Sequence, residues 1–312
     1  MIVKKAASSL ERAALVSLLH PPREFKWAAF RDHLIEDEAL PSEVLLESLT
    51  NNTGRFDDEI ALSVQRIRTW ESLGYAFMTY LDPEYPIQLR EVHDFPPFLF
   101  ARGTPAPEAQ RERGISIVGS RSASPAAIRD AEALALALAK DGVTVISGLA
   151  AGIDAAAHSA ALSVGGRTVG IIGTGIDKYY PKSSEVIQRR MEKGEGLVLS
   201  QFWPGSSPTK YSFPMRNTVM SGYSRGTVIV EASEKSGTRH QAQRAVQHGR
   251  PLVISRAVAN DTSWGRKLSS DPKRTEVYVA DNLDHAIELA LYMARPLRAA
   301  IPSPDQLSLA WQ

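Results

Sequence analysis

The sequence predicts an α/β protein built on a parallel sheet with helices on both faces, preceded by a small N-terminal helical domain. From residue 114 onward, short runs rich in Val and Ile alternate with helical windows. Strands that are almost continuously apolar are typical of a parallel sheet covered on both faces. The first run, Ile115–Val118, is followed by Ser124-Pro125, an N-cap and a first-turn proline that begin an Ala- and Leu-rich helix ending at Lys140.

Residues 1–74 are expected to form the small helical domain. Apolar residues recur at helical spacing in Leu10–Leu19 until Pro21-Pro22 ends the helix, and again in Phe25–Ile35. A further helix is predicted to begin at Asp57-Asp58 and to carry apolar residues on one face. This region shows no pattern of catalytic residues, and a generic helical adaptor is the simplest interpretation.

Residues 75–113 are expected to be a proline-rich connector with one edge strand. Prolines recur in Tyr80–Pro86, in Phe95–Phe98 and in Gly103–Pro107. Proline fixes φ and removes a backbone donor, which excludes long helices and a central strand. We therefore predict that aromatic residues pack the connector and that a short strand around Phe98–Arg102 lies at the edge of the sheet.

Residues 114–296 are expected to form the main domain, and residues 297–312 a flexible tail. Beyond the first strand and helix, we predict strands at 143–146, 168–172, 197–199, 227–230, 252–254 and 277–279. Helices are predicted at 154–162, 184–193, 238–248 and 282–293. Because parallel sheets bind ligands at the carboxyl ends of their strands, the residues that follow each strand are candidates for a site.

Composition and charge narrow the class of protein. The 312 residues are 43% hydrophobic and 23% charged, as in an ordinary globular protein. The absence of cysteine excludes disulfides, thiolate zinc sites and a cysteine nucleophile. The net charge is only +1, so any nucleic-acid site must be locally basic. Glu11 and Arg12 interrupt the first apolar stretch and no apolar run is long enough for a membrane helix, so we expect a cytoplasmic protein without membrane contact.

Glycines follow three consecutive predicted strands, each time with hydroxyl or charged residues nearby. The motifs are Gly119-Ser120-Arg121, the segment from Gly148 through Gly152 to Asp154, and Gly173-Thr174-Gly175. Such turns permit positive φ and let a phosphate approach backbone N–H groups beside a helix N-terminus, although a tight turn alone explains any single glycine. His158, one turn beyond Asp154, is expected to be a structural histidine paired with that carboxylate rather than a metal ligand.

Standard cofactor motifs are missing from these strand ends. Gly173-x-Gly175 continues into Tyr-Tyr-Pro instead of a third glycine, which argues against a dinucleotide site. The chain contains no G-x-x-x-x-G-K-[ST] phosphate-binding loop and no H-E-x-x-H zinc motif. We therefore predict no cofactor, no metal and no requirement for ATP.

The segment Lys210–Gly222 carries the most specific pattern. Lys210 and Arg216 flank Phe213 in a proline-containing loop that opens a short helix, with Asn217 next to Arg216. A cation beside an aromatic ring suits single-stranded nucleic acid, because phosphates need charge and unpaired bases need a stacking face. The alternative is that Phe213 belongs to the core and that Arg216 holds the strand ends together.

Taken in order, six short motifs resemble the DprA/Smf family (DNA-processing protein A) between about Leu81 and Ile254. The motifs are Asp82-x-x-Tyr-Pro86, Ile117-Val-Gly-Ser-Arg121, Ser147-Gly-Leu-Ala-x-Gly-Ile-Asp154-x-x-x-His158, Gly173-Thr-Gly-Ile-Asp-x-x-Tyr-Pro181, Phe213-Pro-x-Arg-Asn217 and Val228-Ile-Val-Glu231-Ala-Ser-x-x-Ser236-Gly237. The resemblance implies an extended Rossmann-like fold that binds single-stranded DNA without acting as an enzyme. It further implies a homodimer that helps load a RecA-type recombinase in DNA recombination, chiefly during natural transformation of competent cells.

By the same resemblance, six residues would contact DNA: Ser120, Arg121, Lys210, Phe213, Arg216 and Asn217. The strand-end loops would form the pocket through Gly119, Gly148, Gly152, Asp154, Gly173, Gly175, Ser236 and Gly237. The chain departs from the family pattern at Thr218, where a second arginine is usual, and at Ser255, where a Pro-Gly loop is usual. We therefore expect a divergent member, without the C-terminal winged helix, whose backbone contact is weaker at Thr218 and whose pocket rim is reshaped at Ser255.

Two other functions are open alternatives. A related Rossmann-like group, the LOG phosphoribohydrolases, carries Pro-Gly-Gly-x-Gly-Thr-x-x-Glu at a comparable strand end, and the nearest stretch here is Lys235-Ser-Gly-Thr-Arg-His-Gln241. Gln241 replaces the expected glutamate and cannot act as a carboxylate acid or base, which argues against this nucleotide-processing enzyme. Glu231 and Asp154 are the other carboxylates available. A sensor that binds a nucleotide without chemistry would use the same glycine loops.

Overall fold

The computed structural model describes residues 8–21, 26–50, 52–105, 113–271 and 276–295. The strands in these ranges are β1 (Ala76–Thr79), β2 (Phe98–Gly103), β3 (Gly114–Val118), β4 (Thr144–Ser147), β5 (Thr168–Ile171), β6 (Leu197–Ser200), β7 (Gly226–Ile229), β8 (Leu252–Ser255) and β9 (Val277–Ala280). The helices are α1 (Ser9–Leu19), α2 (Trp27–Ile35), α3 (Pro41–Ser48), α4 (Thr53–Ser72), α5 (Ile87–Arg90), α6 (Pro125–Lys140), α7 (Ile153–Ser163), α8 (Glu185–Arg190), α9 (Ser212–Tyr223), α10 (Thr238–Gln247), α11 (Arg256–Asp261), α12 (Ser263–Ser270) and α13 (Leu283–Met293). The predicted tail, residues 297–312, lies outside the described residues.

The described strands form one sheet in the order β1-β2-β6-β5-β4-β3-β7-β8-β9. All neighbours from β6 to β9 in this order are parallel, which confirms the predicted parallel sheet. The chain moves outward from β3 to β6 on one side and from β7 to β9 on the other, so the strand order reverses between β3 and β7. Ligands of such sheets bind in the crevice at this switch point.

Neighbouring residues on the central strands face opposite layers. Val145 on β4 packs in a cluster with α6, α7 and α13, whereas Ile146 belongs to the cluster that contains residues of α9 and α10. Val228 and Ile229 on β7 divide between the same two clusters. Helices therefore cover both faces, as the sequence predicts, and none of the described helices combines the length and apolarity needed to cross a membrane.

Strand β2 does not lie at the edge of the sheet as predicted. It pairs antiparallel with β1 on one side and with β6 on the other, so that β1 is the edge strand. The prediction was wrong because Pro96 and Pro97 precede β2 and leave all of its residues able to donate to the sheet. The sequence analysis did not predict β1, which is short and follows α4 closely.

Two further regions differ from the prediction. Helix α9 begins at Ser212, so Phe213 lies in its first turn rather than in a loop. The segment after β8 forms α11 and α12, where no helix was predicted, and the Ser255 side chain caps α11 by accepting a hydrogen bond from the Val258 N–H.

An aromatic cluster joins α4 to β1, β2 and the loop after β6. Trp203 stacks on Phe98, with ring centroids 4.0 Å apart, and its ring lies 5.5 Å from that of Trp70 on α4. Trp70 also contacts Phe77 on β1, at 5.3 Å. The loop that leads from β6 to α9 is thereby attached to the N-terminal helices.

Candidate nucleic-acid interface

A cavity of about 500 Å³ opens at the carboxyl ends of β3 and β7, where the strand order reverses. Its lining comes from the loop after β3, from the start of α9, and from the loop that leads into α10. All six residues predicted to contact DNA line this cavity: Ser120, Arg121, Lys210, Phe213, Arg216 and Asn217. The fold thus brings together side chains from segments that are far apart in the sequence.

The predicted pocket-loop residues divide into two groups. Four line the cavity: Gly119, Asp154, Ser236 and Gly237. The other four and the predicted rim residue are not among the lining residues: Gly148, Gly152, Gly173, Gly175 and Ser255. The structure thus brings four of the eight predicted pocket-loop residues to the cavity surface.

The glycines of the second group lie behind the cavity and let other residues approach. A Cβ on Gly148 would lie 1.6 Å from Nη1 of Arg216, and a Cβ on Gly173 would lie 3.0 Å from the Phe213 ring. Gly152 has a φ of +77°, and a Cβ there would lie 2.3 Å from the Ser120 carbonyl oxygen. These three glycines therefore allow the Arg216 guanidinium, the Phe213 ring and the Ser120 carbonyl to approach closely.

A row of three side chains lies at the cavity. The guanidinium carbon of Arg121 is 5.0 Å from the centroid of the Phe213 ring, and the Tyr180 ring is 5.8 Å from the same ring at an angle of 38°. Phe213 is half-buried, whereas Arg121 is exposed and Tyr180 is 44% exposed. The Phe213 ring therefore stays at the surface and does not belong to the core.

A second cation and ring lie next to this row. Lys210 is exposed, and its Nζ lies 5.0 Å from the centroid of the Tyr211 ring, which is 68% exposed. Lys210 and Arg121 reach the cavity from different segments, the one before α9 and the loop after β3. Two exposed cations thus face a cavity in which Asp154 is the one carboxylate among the described lining residues.

Arg216 lines the cavity but is largely buried, and part of its guanidinium contacts the protein itself. Its Nη1 donates to the carbonyl oxygens of Gly148, at 2.5 Å, and Ile171, at 2.8 Å, while Nε donates to Oδ1 of Asn217 at 3.0 Å. Through these three hydrogen bonds, Arg216 ties α9 to the ends of β4 and β5. The alternative interpretation, that Arg216 holds the strand ends together, fits this geometry.

The carboxylates at the site are used to hold the backbone. Asp154 accepts hydrogen bonds from the N–H groups of Gly148 and Ala150, at 3.1 and 3.3 Å. Burial raises the pKa of Asp154, while the charge of Arg216 and these hydrogen bonds act in the opposite direction. The Glu231 carboxylate accepts from the Ser124 N–H at the start of α6, at 3.1 Å. Both carboxylates therefore hold backbone N–H groups at the starts of neighbouring segments.

His158 does not pair with Asp154, so that prediction is wrong. The Thr168 hydroxyl donates to the Val145 carbonyl at 2.8 Å. His158 Nδ1 lies 2.6 Å from the same hydroxyl, so the Nδ1–H group donates to the Thr168 oxygen. The ring is fully buried, and burial lowers the pKa of His158 to about 3. A neutral, enclosed imidazole of this kind is a structural residue.

The sequence contains a match to a serine-hydrolase motif, and the structure shows that this segment has a structural role. Gly222-Tyr-Ser224-Arg-Gly226 matches the G-x-S-x-G pattern, in which the serine normally sits on a strand-to-helix turn. Here the motif connects α9 to β7, and the buried Ser224 hydroxyl donates to the Met220 carbonyl at 2.9 Å. Ser224 is therefore not an exposed nucleophile.

The sequence analysis also missed residues that the structure places in or beside the cavity. Thr238 and His240 line it from α10, and Tyr180 extends the row of rings beyond Phe213. Tyr180 is the tyrosine of the motif Gly173-Thr-Gly-Ile-Asp-x-x-Tyr-Pro181, and its position in a strand-end loop was the available signal. Gln241 lines the cavity, but its side chain is buried.

Comparisons with known proteins point to one family. The family model described as DNA recombination-mediator protein A matches residues 76–273. A curated DNA processing protein DprA from Streptococcus pneumoniae is 39% identical over 172 residues, which cover 55% of this chain and 60% of that protein. This chain thus matches little more than half the length of that relative.

Solved structures agree with this fold. The X-ray structure of DNA processing protein A from Streptococcus pneumoniae has a TM-score of 0.68 and 26% identity, covering 91% of this chain and 98% of that chain. DNA processing protein A from Helicobacter pylori, described for its single-stranded DNA binding mode, has a TM-score of 0.59 and 24% identity, covering 70% of this chain and 96% of that chain.

Proposed function

The chain belongs to the DNA recombination-mediator protein A family, and we propose that it binds single-stranded DNA in the cavity at the strand-order switch point. The observation that carries the proposal is the surface position of the Phe213 ring, in contact with Arg121 and Tyr180 and beside the exposed Lys210. Rings for stacking and cations for phosphates are the two features that single-stranded nucleic acid requires.

In this proposal each group has a separate task. Arg121 and Lys210 bind phosphates at the cavity, and an unpaired base stacks on Phe213. The Ser120 hydroxyl adds a hydrogen bond to the DNA. Asn217 lines the cavity, and its Oδ1 accepts a hydrogen bond from Arg216. Duplex DNA would bind poorly, because its base faces are already stacked on each other.

The Tyr180 ring offers the bound DNA a second stacking position beyond Phe213. Its centroid lies 5.8 Å from that of Phe213, so a second base can stack on Tyr180 while its neighbour occupies Phe213. Stacking on an aromatic side chain contributes about 1–3 kcal/mol per base and tolerates any base. We therefore propose sequence-independent binding along the row from Arg121 to Tyr180.

The wider role that we propose rests on family membership. The protein would act in the cytoplasm as a homodimer and help load a RecA-type recombinase onto single-stranded DNA, in natural transformation or another recombination process. A chemical reaction is not part of the proposal, because Asp154 and Glu231 hold backbone groups and Gln241 is not a carboxylate.

A titration monitored by fluorescence polarisation tests the proposal. Labelled single-stranded DNA is expected to bind without ATP, and unlabelled duplex of equal length is expected to compete poorly. Equal competition by duplex would indicate a general polyanion binder instead. Displacement by micromolar free nucleotide, with weak binding of the oligomer, would favour the nucleotide-sensor alternative and overturn the proposal.

A further inference from the structure

A cluster of two histidines and one aspartate lies away from the DNA cavity. His93 and Asp94 belong to the segment between α5 and β2, and His248 follows the last residue of α10. Within the described ranges, these three side chains form the one group whose possible ligand atoms all lie within 4.8 Å of one another. The first turn of α10 lines the DNA cavity, whereas His248 lies at the other end of this helix, about 15 Å away along its axis.

The cluster is organised around a buried imidazole. The His248 side chain is fully buried, and its Nε2 lies 2.7 Å from Oδ1 of Asp94. Its other ring nitrogen, Nδ1, lies 3.0 Å from the Ser221 hydroxyl on α9. Oδ2 of Asp94 is 3.1 Å from Nη1 of Arg244 and 3.9 Å from Nε2 of His93.

These donors match the preferences of a first-row transition metal. Two imidazole nitrogens and a carboxylate oxygen are ligands that Zn²⁺ binds at about 2.0–2.2 Å. Metal-binding histidines usually make a hydrogen bond through the second ring nitrogen, which fixes the ring and its tautomer. The Ser221 hydroxyl is placed to accept that hydrogen bond from His248, and Arg244 holds the second oxygen of Asp94 in the corresponding way.

We propose that Nε2 of His93, a carboxylate oxygen of Asp94 and Nε2 of His248 bind a divalent transition-metal ion such as Zn²⁺. The ion would fasten the segment between α5 and β2 to α10 and would keep one open position for water. The His93 side chain is 64% exposed, so it can rotate toward the other two ligands without moving the core. The positive charge of Arg244 opposes a cation here, so we expect weaker binding than in a four-ligand structural zinc site.

The test uses the untagged full chain and Zn²⁺ alone, titrated against a chromophoric zinc indicator. We expect one ion per chain, and His93→Ala should weaken binding by more than the roughly 10–100-fold that loss of an outer-shell partner costs. Ser221→Ala, which removes the hydroxyl from His248, should weaken it by about 10–100-fold. Co²⁺ should give the intense visible absorption of a site with low coordination number.

His33→Ala is the matched control. Nδ1 of His33 lies 2.9 Å from a carboxylate oxygen of Asp37, and among the described residues this exposed pair belongs to no group of three possible ligands. Its loss should therefore leave zinc binding unchanged. Zn²⁺ should also raise the Tm of the wild type and of His33→Ala, but not that of His93→Ala. Wild-type affinity no higher than that of His93→Ala would overturn the proposal and leave a purely hydrogen-bonded cluster.

Discussion

The guanidinium carbon of Arg121 lies 5.0 Å from the centroid of the Phe213 ring. This contact links the loop after β3 to the first turn of α9, and it occupies the ring in the free protein. A cation–π contact at an exposed site contributes only about 0.5–1 kcal/mol, whereas a stacked base contributes about 1–3 kcal/mol. A base can therefore displace the guanidinium from the ring, and Arg121 is then free to bind a phosphate.

Phe213→Leu should weaken binding of oligo-dT by about 1–3 kcal/mol, because leucine keeps the apolar volume but offers no stacking face. The slope of log K against log salt should stay nearly the same, since stacking releases few counterions. Polarisation titrations at several salt concentrations measure both quantities. Wild-type affinity in the variant would show that no base stacks on this ring.

Arg121→Gln and Lys210→Gln should each lower the affinity and reduce the salt slope by about 0.7, the value expected for one phosphate contact on a single strand. The control is Arg68→Gln, which removes an exposed cation from α4 outside the cavity. If the double variant keeps the wild-type salt slope, the phosphates bind elsewhere.

Tyr180→Ala should reduce affinity only for oligomers long enough to reach beyond Phe213. The shortest bound oligomers should be unaffected, because they occupy the cavity and Phe213 alone. The comparison is a length series of oligo-dT with Tyr292→Ala as control, since Tyr292 is 57% exposed on α13 and does not line the cavity. An equal loss at every length would place Tyr180 in the primary site instead.

Arg216→Gln should destabilise the protein by roughly 3–5 kcal/mol, because it leaves the buried Gly148 and Ile171 carbonyls without their charged donor. Gly148→Ala should also destabilise it, since the added Cβ would overlap the Arg216 guanidinium. Urea unfolding measures both effects. Normal stability with selectively weaker DNA binding would return Arg216 to the role of a phosphate contact.

Stability should fall with acidification through His158. Burial lowers the pKa of His158 to about 3, well below the value of about 6.5 in the unfolded chain, so between these values the unfolded state binds more protons. The loss is up to about 1.4 kcal/mol per pH unit below about pH 6.5. The raised pKa of Asp154 makes the opposite contribution to the pH dependence of stability. Because Asp154 is present in both proteins, its contribution cancels when wild type and His158→Gln are compared. Parallel stability curves for the two proteins between pH 6.5 and 4 would contradict this prediction.

The strands of the parallel sheet were predictable from the sequence because each is an apolar run bounded by glycine or polar residues. Each predicted strand from residue 114 onward lies within one residue of its observed bounds. Strand β1 was missed because Ala76-Phe-Met-Thr79 contains none of the Val and Ile residues that mark the other strands, and its pairing with β2 depends on a contact across the proline-rich segment.

The cavity residues were predictable as a set, but their individual roles were not. Motif order brought Arg121 and Phe213 into one list, yet burial depends on contacts that are remote in the sequence. Arg216 is committed to the carbonyl of Gly148, 68 residues away, and only the fold shows that this guanidinium points inward. The same holds for Tyr180, whose place beside Phe213 depends on two different crossover loops meeting.

The contacts of the Trp203 indole affect how a shortened form of this chain would behave. A truncation that begins at β1 would remove His20 and Trp70, and thus two ring partners of an indole that also stacks on Phe98. The freed tryptophan sits seven positions before Lys210 on the same loop, so the damage would spread toward the ligand cavity. Loss of DNA affinity in such a fragment would report a loosened loop, and it would be no proof that the missing helices touch the polynucleotide.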